Sequence, residues 1–257
     1  MDENTEFGDL FALPQDYDSD KESSVDTTKT TRFTTSRNQW AIDIVTLAKK
    51  HSLWGHEIWN ASKVLADYLE DHNKDGDNNE QALIRNKSVL EFGAGGALPS
   101  LLCAKLGAKK VVVTDYPDIK LINCIKKSVE INNSGNVVDV TGYLWGRDSQ
   151  ELTSLNGGEQ FDVVILSDLV FNHSEHKKLL ASCKQVLKKG TGVALVFFTH
   201  HRPWLVDKDM DFFKVAESEE FGFTVEEVAS EYVGPMFKED PGDETIRGTV
   251  HGYTLRH

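Results

Sequence analysis

The fold is decided by residues 89–118, VLEFGAGGALPSLLCAKLGAKKVVVTDYPD. An apolar run ends at Phe92, a glycine-rich turn and a second apolar run follow, and a third run ends at Asp115. This order predicts a buried strand, a turn, a helix and a second strand, with the free N–H groups of the helix start facing a ligand. An acidic side chain at the end of the second strand is placed to bind both hydroxyls of a ribose. The stretch therefore predicts a nucleoside site.

Apolar periodicity predicts further strands and helices around this stretch. The expected strands are 88–92, 110–114, 138–143, 161–167, 192–199, 223–231 and 248–256, and the expected helices are 57–71, 98–106, 118–132, 174–188 and 207–221. Strands alternating with helices of these lengths require an α/β fold with a mostly parallel sheet covered on both faces. Before them, TRFTT and WAIDIVTL flank SRNQ and predict a hairpin, although the second run also suits a helix.

Composition and charge limit the classes of partner. The chain has 257 residues, 39% apolar and 27% charged, which suits one large α/β domain with appendages. Its formal net charge of −13 argues against binding nucleic acid, which needs a concentrated basic surface, and favours a basic peptide. Residues 1–30 are acidic and poor in apolar side chains, so we predict a mobile segment ahead of a single domain at 31–257.

Hydropathy and cysteine usage predict the compartment. No apolar stretch reaches 18 residues and the N-terminus MDENTEFGDL is acidic, so we expect no membrane span and no signal peptide, and a cytoplasmic protein. Cys103, Cys124 and Cys183 lie far apart in apolar helical patterns without a CxxC pair. We interpret them as reduced packing residues and predict no metal site.

NAD and S-adenosylmethionine both suit the glycine turn, and three details favour the methyl donor. The third glycine of G-x-G-x-x-G would fall at Leu98, where a bulky side chain hinders the close approach of a pyrophosphate, which S-adenosylmethionine lacks. Glu91, two residues before Gly93, matches the acidic residue common at the start of methyltransferase glycine loops. The Tyr-x-x-x-Lys of a nicotinamide reductase is not evident. We therefore predict S-adenosylmethionine as the cofactor.

Four motifs in order resemble one family. SLWGHEIWNAS, the stretch 89–118, YLWG at 143–146 and ILSDLVFNHSEHKKLL are similar to the seven-strand methyltransferases of family 16, the nicotinamide-N-methyltransferase-like group. The resemblance covers about residues 50–256 and is most specific to a fungal group that methylates the N-terminus and lysine of translation elongation factor 1-alpha. It implies a Rossmann-like fold with an antiparallel closing strand. It also implies methylation of the α-amine of an N-terminal glycine and of the adjacent lysine. We predict that the protein is a monomer.

The resemblance further implies the site residues. The cofactor-binding residues would be Trp54, Gly93, Ala94, Gly95, Asp115, Trp145 and Ser167, and the catalytic residues Asp168 and Phe171. In the family the carboxylate of D-x-x-F orients the amine, and the aromatic face stabilises the cationic methylammonium. Simpler interpretations stay open: the two tryptophans as core aromatics, Ser167 as a strand-end cap and Asp168 as a helix cap.

We predict no catalytic role for the other polar and aromatic residues near these motifs. We interpret Trp59, which falls inside the predicted helix 57–71, as a core residue. His173 and His176 form an H-x-x-H pair without further ligands, which favours surface or capping roles. His200 and His201 end a predicted strand near the rim of the site.

Two other functions stay open at this stage. A small-molecule N-methyltransferase acting on a pyridine such as nicotinamide would need a lidded aromatic pocket, and no lid insertion is obvious in the sequence. A non-catalytic scaffold that binds S-adenosylmethionine would not need DLVF, residues 168–171, which is intact.

Overall fold

The structure is a computed structural model that describes residues 28–37, 39–50, 53–73 and 82–257. The predicted mobile segment lies outside these residues up to residue 27. Its last three residues, Thr28–Thr30, form the start of the first strand.

Strands and helices alternate along the described residues. The strands are β1 (Thr28–Thr34), β2 (Ala41–Leu47), β3 (Ser88–Phe92), β4 (Lys110–Asp115), β5 (Val138–Gly142), β6 (Val163–Ser167), β7 (Val193–Thr199), β8 (Thr224–Tyr232) and β9 (Thr249–Arg256). The helices are α1 (Asn60–Asp71), α2 (Leu98–Lys105), α3 (Ile119–Ile131), α4 (Gln150–Leu155), α5 (His176–Val186), α6 (Val206–Glu217) and α7 (Glu244–Gly248). Every predicted element is present: β3 has the predicted ends and the other elements differ from the prediction at one or both ends, whereas α4 and α7 were missed.

The central sheet has seven strands in the order β5-β4-β3-β6-β7-β9-β8. Neighbouring strands from β5 to β7 are parallel, and β9 runs antiparallel to both β7 and β8. All residues of β3, β6 and β7 are buried, which explains why these strands are continuous apolar runs in the sequence. The Rossmann-like prediction with an antiparallel closing strand is confirmed.

Helices cover both faces of this sheet. Leu65 of α1 and Leu101 of α2 belong to the apolar core on one face. Leu180 of α5 and Phe212 of α6 belong to the core on the other face. The three cysteines are buried and form no disulfide, in agreement with their predicted packing role.

The N-terminal hairpin forms its own two-stranded antiparallel sheet, which confirms the hairpin over the helical alternative. It is fixed to α3: the N–H of Val45 donates to Ser128 Oγ at 2.8 Å, and Asn132 Nδ2 donates to the carbonyl of Asp43 at 2.6 Å. A Cβ on Gly96 would lie 2.9 Å from Cγ2 of Ile44, so the hairpin packs directly on the glycine-rich turn.

The described residues contain neither a membrane-spanning helix nor a metal-binding group. Among them, no helix is long and apolar enough to cross a membrane. Nor do His, Cys, Asp and Glu side chains in that part of the chain form a group able to hold a metal ion.

Candidate active site

A cavity of about 520 Å³ opens at the carboxyl ends of β3, β4 and β6. The chain leaves β3 towards β4 on one side and returns to β6 on the other, so this is the point where the strand order reverses and α/β sheets bind ligands. Its walls contain all the site residues expected from the sequence: Trp54, Gly93, Ala94, Gly95, Asp115, Trp145, Ser167, Asp168 and Phe171.

The floor of the cavity contains exposed backbone because two positions of the turn are glycines in the left-handed region. Gly93 has φ +57°, and a Cβ there would lie 2.6 Å from Cδ2 of Leu169. Gly95 has φ +53°, in the same left-handed region. Between them, the N–H of Ala94 donates to the carbonyl of Thr114 at 3.0 Å, which ties the turn to β4. A ligand above the turn therefore meets peptide groups.

Asp115, at the end of β4, is buried and held by backbone. Its Oδ2 accepts the N–H of Gly95 at 2.7 Å, and its Oδ1 accepts the N–H of Tyr116 at 2.7 Å. Burial raises the pKa of this carboxyl to about 6, and the two N–H donors oppose the rise. Each oxygen keeps a second lone pair, so the fixed carboxylate can still accept two hydroxyl groups.

The other expected cofactor residues surround the turn. Trp54 has φ +58°, and its ring centroid lies 6.1 Å from that of Trp59. Trp145 packs over the turn, since a Cβ on Gly93 would lie 3.3 Å from its Cζ2. Ser167 Oγ is buried and has no hydrogen-bond partner in the described part of the chain. Aromatic walls, a carboxylate and an unpartnered hydroxyl fit a nucleoside with a polar tail.

Asp168 follows β6, and only one of its two carboxylate oxygens has hydrogen-bond partners among the described residues. Oδ1 lies 2.9 Å from His201 Nε2 and accepts the N–H of Thr199 at 3.3 Å. Oδ2 is buried without a partner among the described residues. The capping alternative does not hold, because the next helical turn begins at His173 with Asn172 at its N-cap. Asp168 thus lines the cavity and keeps one buried oxygen with unused acceptor capacity.

Sequence reasoning missed Trp59 and Phe237. Trp59 is the N-cap of α1 and lines the cavity, so its assignment to the core was wrong. Its ring centroid lies 6.0 Å from that of Phe237 and 5.0 Å from that of His201. No local pattern separates Trp59 from the helix, because Asn60 is already the first helical residue and its Oδ1 accepts from Lys63 Nζ instead of capping the helix. Phe237 comes from the connection between β8 and α7, and no local pattern marks it.

Glu91 supports the site without lining it. Its Oε2 accepts the N–H of Ser100 at 3.1 Å and the hydroxyl of the same residue, which fixes the first turn of α2. Burial raises the pKa of Glu91 to about 8. The acidic residue before the glycine turn therefore acts here on the helix start, as a largely protonated carboxyl at neutral pH.

The remaining histidines form polar contacts behind the cavity. His173 Nε2 and His200 Nδ1 lie 2.6 and 2.7 Å from the two carboxylate oxygens of Asp209 on α6. His176 Nε2 donates to the carbonyl of Val170 at 2.7 Å. These bonds join α6, the end of β7 and the start of α5, so the three histidines have structural partners.

Comparison with known proteins gives consistent matches. Residues 41–219 match the family model described as "Lysine methyltransferase". The chain is 47% identical over 214 residues to the protein N-terminal and lysine N-methyltransferase efm7 of Schizosaccharomyces pombe, covering 81% of this chain and 80% of that protein. It is 43% identical over 226 residues to EFM7 of Yarrowia lipolytica, a protein with the same descriptive name, covering 81% and 80%.

A solved structure supports the fold independently of sequence. TYW2 of P. horikoshii in complex with MeSAdo superposes with a TM-score of 0.57 at 14% identity, covering 91% of this chain and 73% of that chain. At this identity the likeness concerns the arrangement of strands and helices alone.

Proposed function

The chain belongs to the lysine methyltransferase family and is an S-adenosyl-L-methionine-dependent protein N-methyltransferase, and from this premise we propose its substrate. We propose that it methylates the α-amine of the N-terminal glycine, and the adjacent lysine, of translation elongation factor 1-alpha. The names of its relatives support methylation of both an N-terminal α-amine and a lysine. The resemblance of the sequence motifs supports translation elongation factor 1-alpha as the substrate. The observation that carries the proposal is Asp168, a residue of the cavity wall whose buried Oδ2 has no hydrogen-bond partner among the described residues.

The cofactor would be held by the groups around the glycine turn. Asp115 would accept its ribose hydroxyls, and the rings of Trp54 and Trp145 would pack against its apolar parts. The positive φ values at Gly93 and Gly95 let the backbone approach closely. When bound, S-adenosylmethionine supplies an electrophilic methyl group on a sulfonium sulfur.

The amine would be oriented by the groups at the other wall. Asp168 Oδ2 accepts an N–H of the amine and directs its lone pair along the line of transfer. The faces of Phe171 and Trp59, both on the cavity wall, stabilise the positive charge that grows on nitrogen. Neither role needs covalent chemistry from the protein, so catalysis rests on position and electrostatics.

The two proposed amines differ in how readily they lose a proton. An α-amine has a pKa of about 7.7 to 8.0 and is roughly a quarter neutral at pH 7.4, whereas lysine at about 10.4 is about a thousandth neutral. Only the neutral amine has the lone pair that attacks. Methylation of the terminus therefore needs less help from the protein than methylation of the lysine.

The surface beside the cavity supports a basic partner. We define the acidic loop as residues 233–243, between β8 and α7. It carries exposed Glu239, Asp240 and Asp243 against one exposed basic residue, Lys238. Phe237 of the same loop contacts Trp59 at the cavity wall. A lysine next to the methylated terminus would lie near this negative potential. A cytoplasmic monomer that binds neither nucleic acid nor a membrane stays our prediction.

A pair of peptides tests the proposal. The resemblance implies a target that begins with glycine followed by lysine, so the first peptide starts Gly-Lys with a free α-amine and the second is acetylated at that amine. Mass spectrometry localises the methyl groups. We expect terminal methylation of the first peptide and none at the blocked terminus of the second. Turnover of nicotinamide with both peptides unmodified would instead favour the small-molecule alternative.

A further inference from the structure

His201 contacts both the carboxylate and the aromatic wall of the acceptor side. It follows β7, and its Nε2 lies 2.9 Å from Asp168 Oδ1. Its ring centroid lies 5.0 Å from that of Trp59 and 6.3 Å from that of Phe171. The side chain is 26% exposed, whereas that of Asp168 is 5% exposed. His201 thus joins three groups assigned to the amine.

We propose that His201 is a positioning residue for methyl transfer, which holds Asp168 Oδ1 through Nε2–H and so presents Oδ2 to the amine. This inference rests on the proposed function, because it assigns the amine to Asp168. His201 acts through the carboxylate and its place in the aromatic wall.

Asp168 needs this support for two reasons. The backbone donor to Oδ1, the N–H of Thr199, is long at 3.3 Å, so His201 supplies the shorter bond. Asp168 also has φ +59°, a left-handed conformation that a residue with a Cβ adopts at a cost. Without His201 the carboxylate would lose its main donor and could rotate away from the productive orientation.

The charge of the pair also bears on the amine. Burial lowers the pKa of His201, but the Asp168 carboxylate and Asp209 outweigh burial and Arg202, so the pKa is raised above its usual value. Since Nε2–H is engaged by Asp168, the proton that titrates belongs to Nδ1. The imidazolium form cancels much of the charge of Asp168. A bound ammonium then gains less from the site, which favours the neutral amine that reacts.

Two substitutions separate the hydrogen bond from the imidazole charge. His201→Phe keeps a ring beside Trp59 and removes the donor, and His201→Gln keeps an N–H donor and removes the titrating group. In single-turnover transfer to the Gly-Lys peptide we expect a loss of about 10- to 100-fold for His201→Phe. We expect His201→Gln to recover most of that rate and to lack an ionisation above about pH 6.5 that the wild type shows. S-adenosylmethionine affinity should stay within about twofold of wild type for both variants.

A double substitution tests whether His201 acts through Asp168. Asp168→Asn with His201→Phe should be no slower than Asp168→Asn alone, because both changes remove the same oriented carboxylate. His72→Phe, an exposed histidine on Tyr68, is the matched control and should leave the rate and its pH profile unchanged. A His201→Phe enzyme within about twofold of wild type, or losses that multiply in the double variant, would overturn the inference.

The same design distinguishes failure of the proposed function. If the wild type leaves the peptide unmodified, the substrate proposal fails, and the variants are then compared on the acceptor that wild type labels in a cytosolic extract. The role of His201 is then tested on that acceptor by the same ratios of variant to wild-type transfer rates. If His201→Phe does not fold, His201→Leu, which also removes the donor to Asp168, takes its place, and a rate within about twofold of wild type contradicts the inference. An unchanged pH profile in His201→Gln contradicts the effect of the imidazole charge.

Discussion

Asp168 is the residue on which binding and catalysis should separate. Its carboxylate is bonded to His201, whereas the carboxylate of Asp115 is bonded to the glycine turn, and both residues line the cavity. Asp168→Asn keeps the shape and removes the charge that orients the amine. We expect methyl transfer to fall by about 10² to 10³ with most S-adenosylmethionine affinity retained. Single-turnover transfer beside a calorimetric titration measures both. Full transfer in Asp168→Asn would show that the carboxylate of Asp168 has no catalytic role.

Asp115 should set both the affinity and the pH dependence of nucleoside binding. Asp115→Ala removes two charge-assisted hydrogen bonds, so we expect a loss of about 1.5 to 3 kcal/mol in cofactor binding for each bond. In the wild type the carboxyl has a pKa of about 6, and only its ionised form accepts both hydroxyls. Affinity should therefore be constant above about pH 7 and fall by up to about tenfold per unit below pH 6.

The ligand for this pH series is 5′-methylthioadenosine, which has the same ribose and no group that titrates between about pH 5 and 8. Asp115→Asn is the control, because its amide cannot titrate. It should bind more weakly than wild type at high pH and show no inflection near pH 6. An affinity of the wild type that does not change with pH would place the ribose away from Asp115.

At the scale of elements, Glu91 is a buried acid between β3 and α2 that lowers the stability of the fold as the pH rises. Burial raises the pKa of Glu91 to about 8, far above its value of about 4.3 in an unfolded chain. Between these values the unfolded state has lost a proton that the folded state keeps, so stability falls as pH rises. Glu91→Gln removes this difference. Its Tm should match that of wild type near pH 4 and exceed it at pH 8.

Thermal unfolding over pH 4 to 8, followed by circular dichroism, checks this expectation. Asp115 contributes a similar slope between about 4 and 6 in both proteins, so the comparison isolates Glu91. Ser100→Ala, which removes the hydroxyl donor to Glu91, should have the opposite effect on the free energy of unfolding at neutral pH. Parallel Tm curves for wild type and Glu91→Gln would contradict the raised pKa.

The elements were predictable where periodicity or burial is strong. β3, β6 and β7 are buried along their whole length, and their apolar runs show it. Helix α7 has five residues and α4 has six, which is too short for a 3.6-residue pattern to develop. The start of α1 was placed too early because the apolar stripe continues through Trp59, although that ring lies at the cavity.

At the scale of the whole molecule, topology brings together residues that no local pattern connects. The sequence could place Gly93, Asp115 and Ser167 together, because they lie at the carboxyl ends of β3, β4 and β6, which share one edge of the sheet. Trp54 and Trp145 do not follow these strands, and only the family resemblance indicated them. The acceptor side joins distant segments: Asn60 Nδ2 donates to the carbonyl of Gly234, 174 residues away. That contact seats the acidic loop beside α1. Trp59, His201 and Phe237 therefore meet only in the folded chain.

The charge of the whole molecule leads to a final prediction about substrate binding. A formal net charge of −13 with exposed acids beside the cavity should attract a basic peptide over distances comparable to the Debye length, about 10 Å at 0.1 M salt. Raising salt from about 0.05 to 0.5 M should increase the KM for the Gly-Lys peptide several-fold. The kcat and the binding of uncharged 5′-methylthioadenosine should change little, because neither depends on long-range attraction.

Charge reversal in the acidic loop locates the source of this attraction. Glu239→Lys with Asp240→Lys should raise the peptide KM at low salt and reduce its salt dependence, because the local potential changes sign where the peptide enters. Glu217→Lys with Glu219→Lys makes the same change in net charge on exposed residues at the end of α6. Since α6 starts beyond the carboxyl end of β7 and runs back along the sheet, these positions lie at the opposite edge. Equal effects of the two pairs on KM would mean that net charge alone attracts the peptide and that the acidic loop does not contact it.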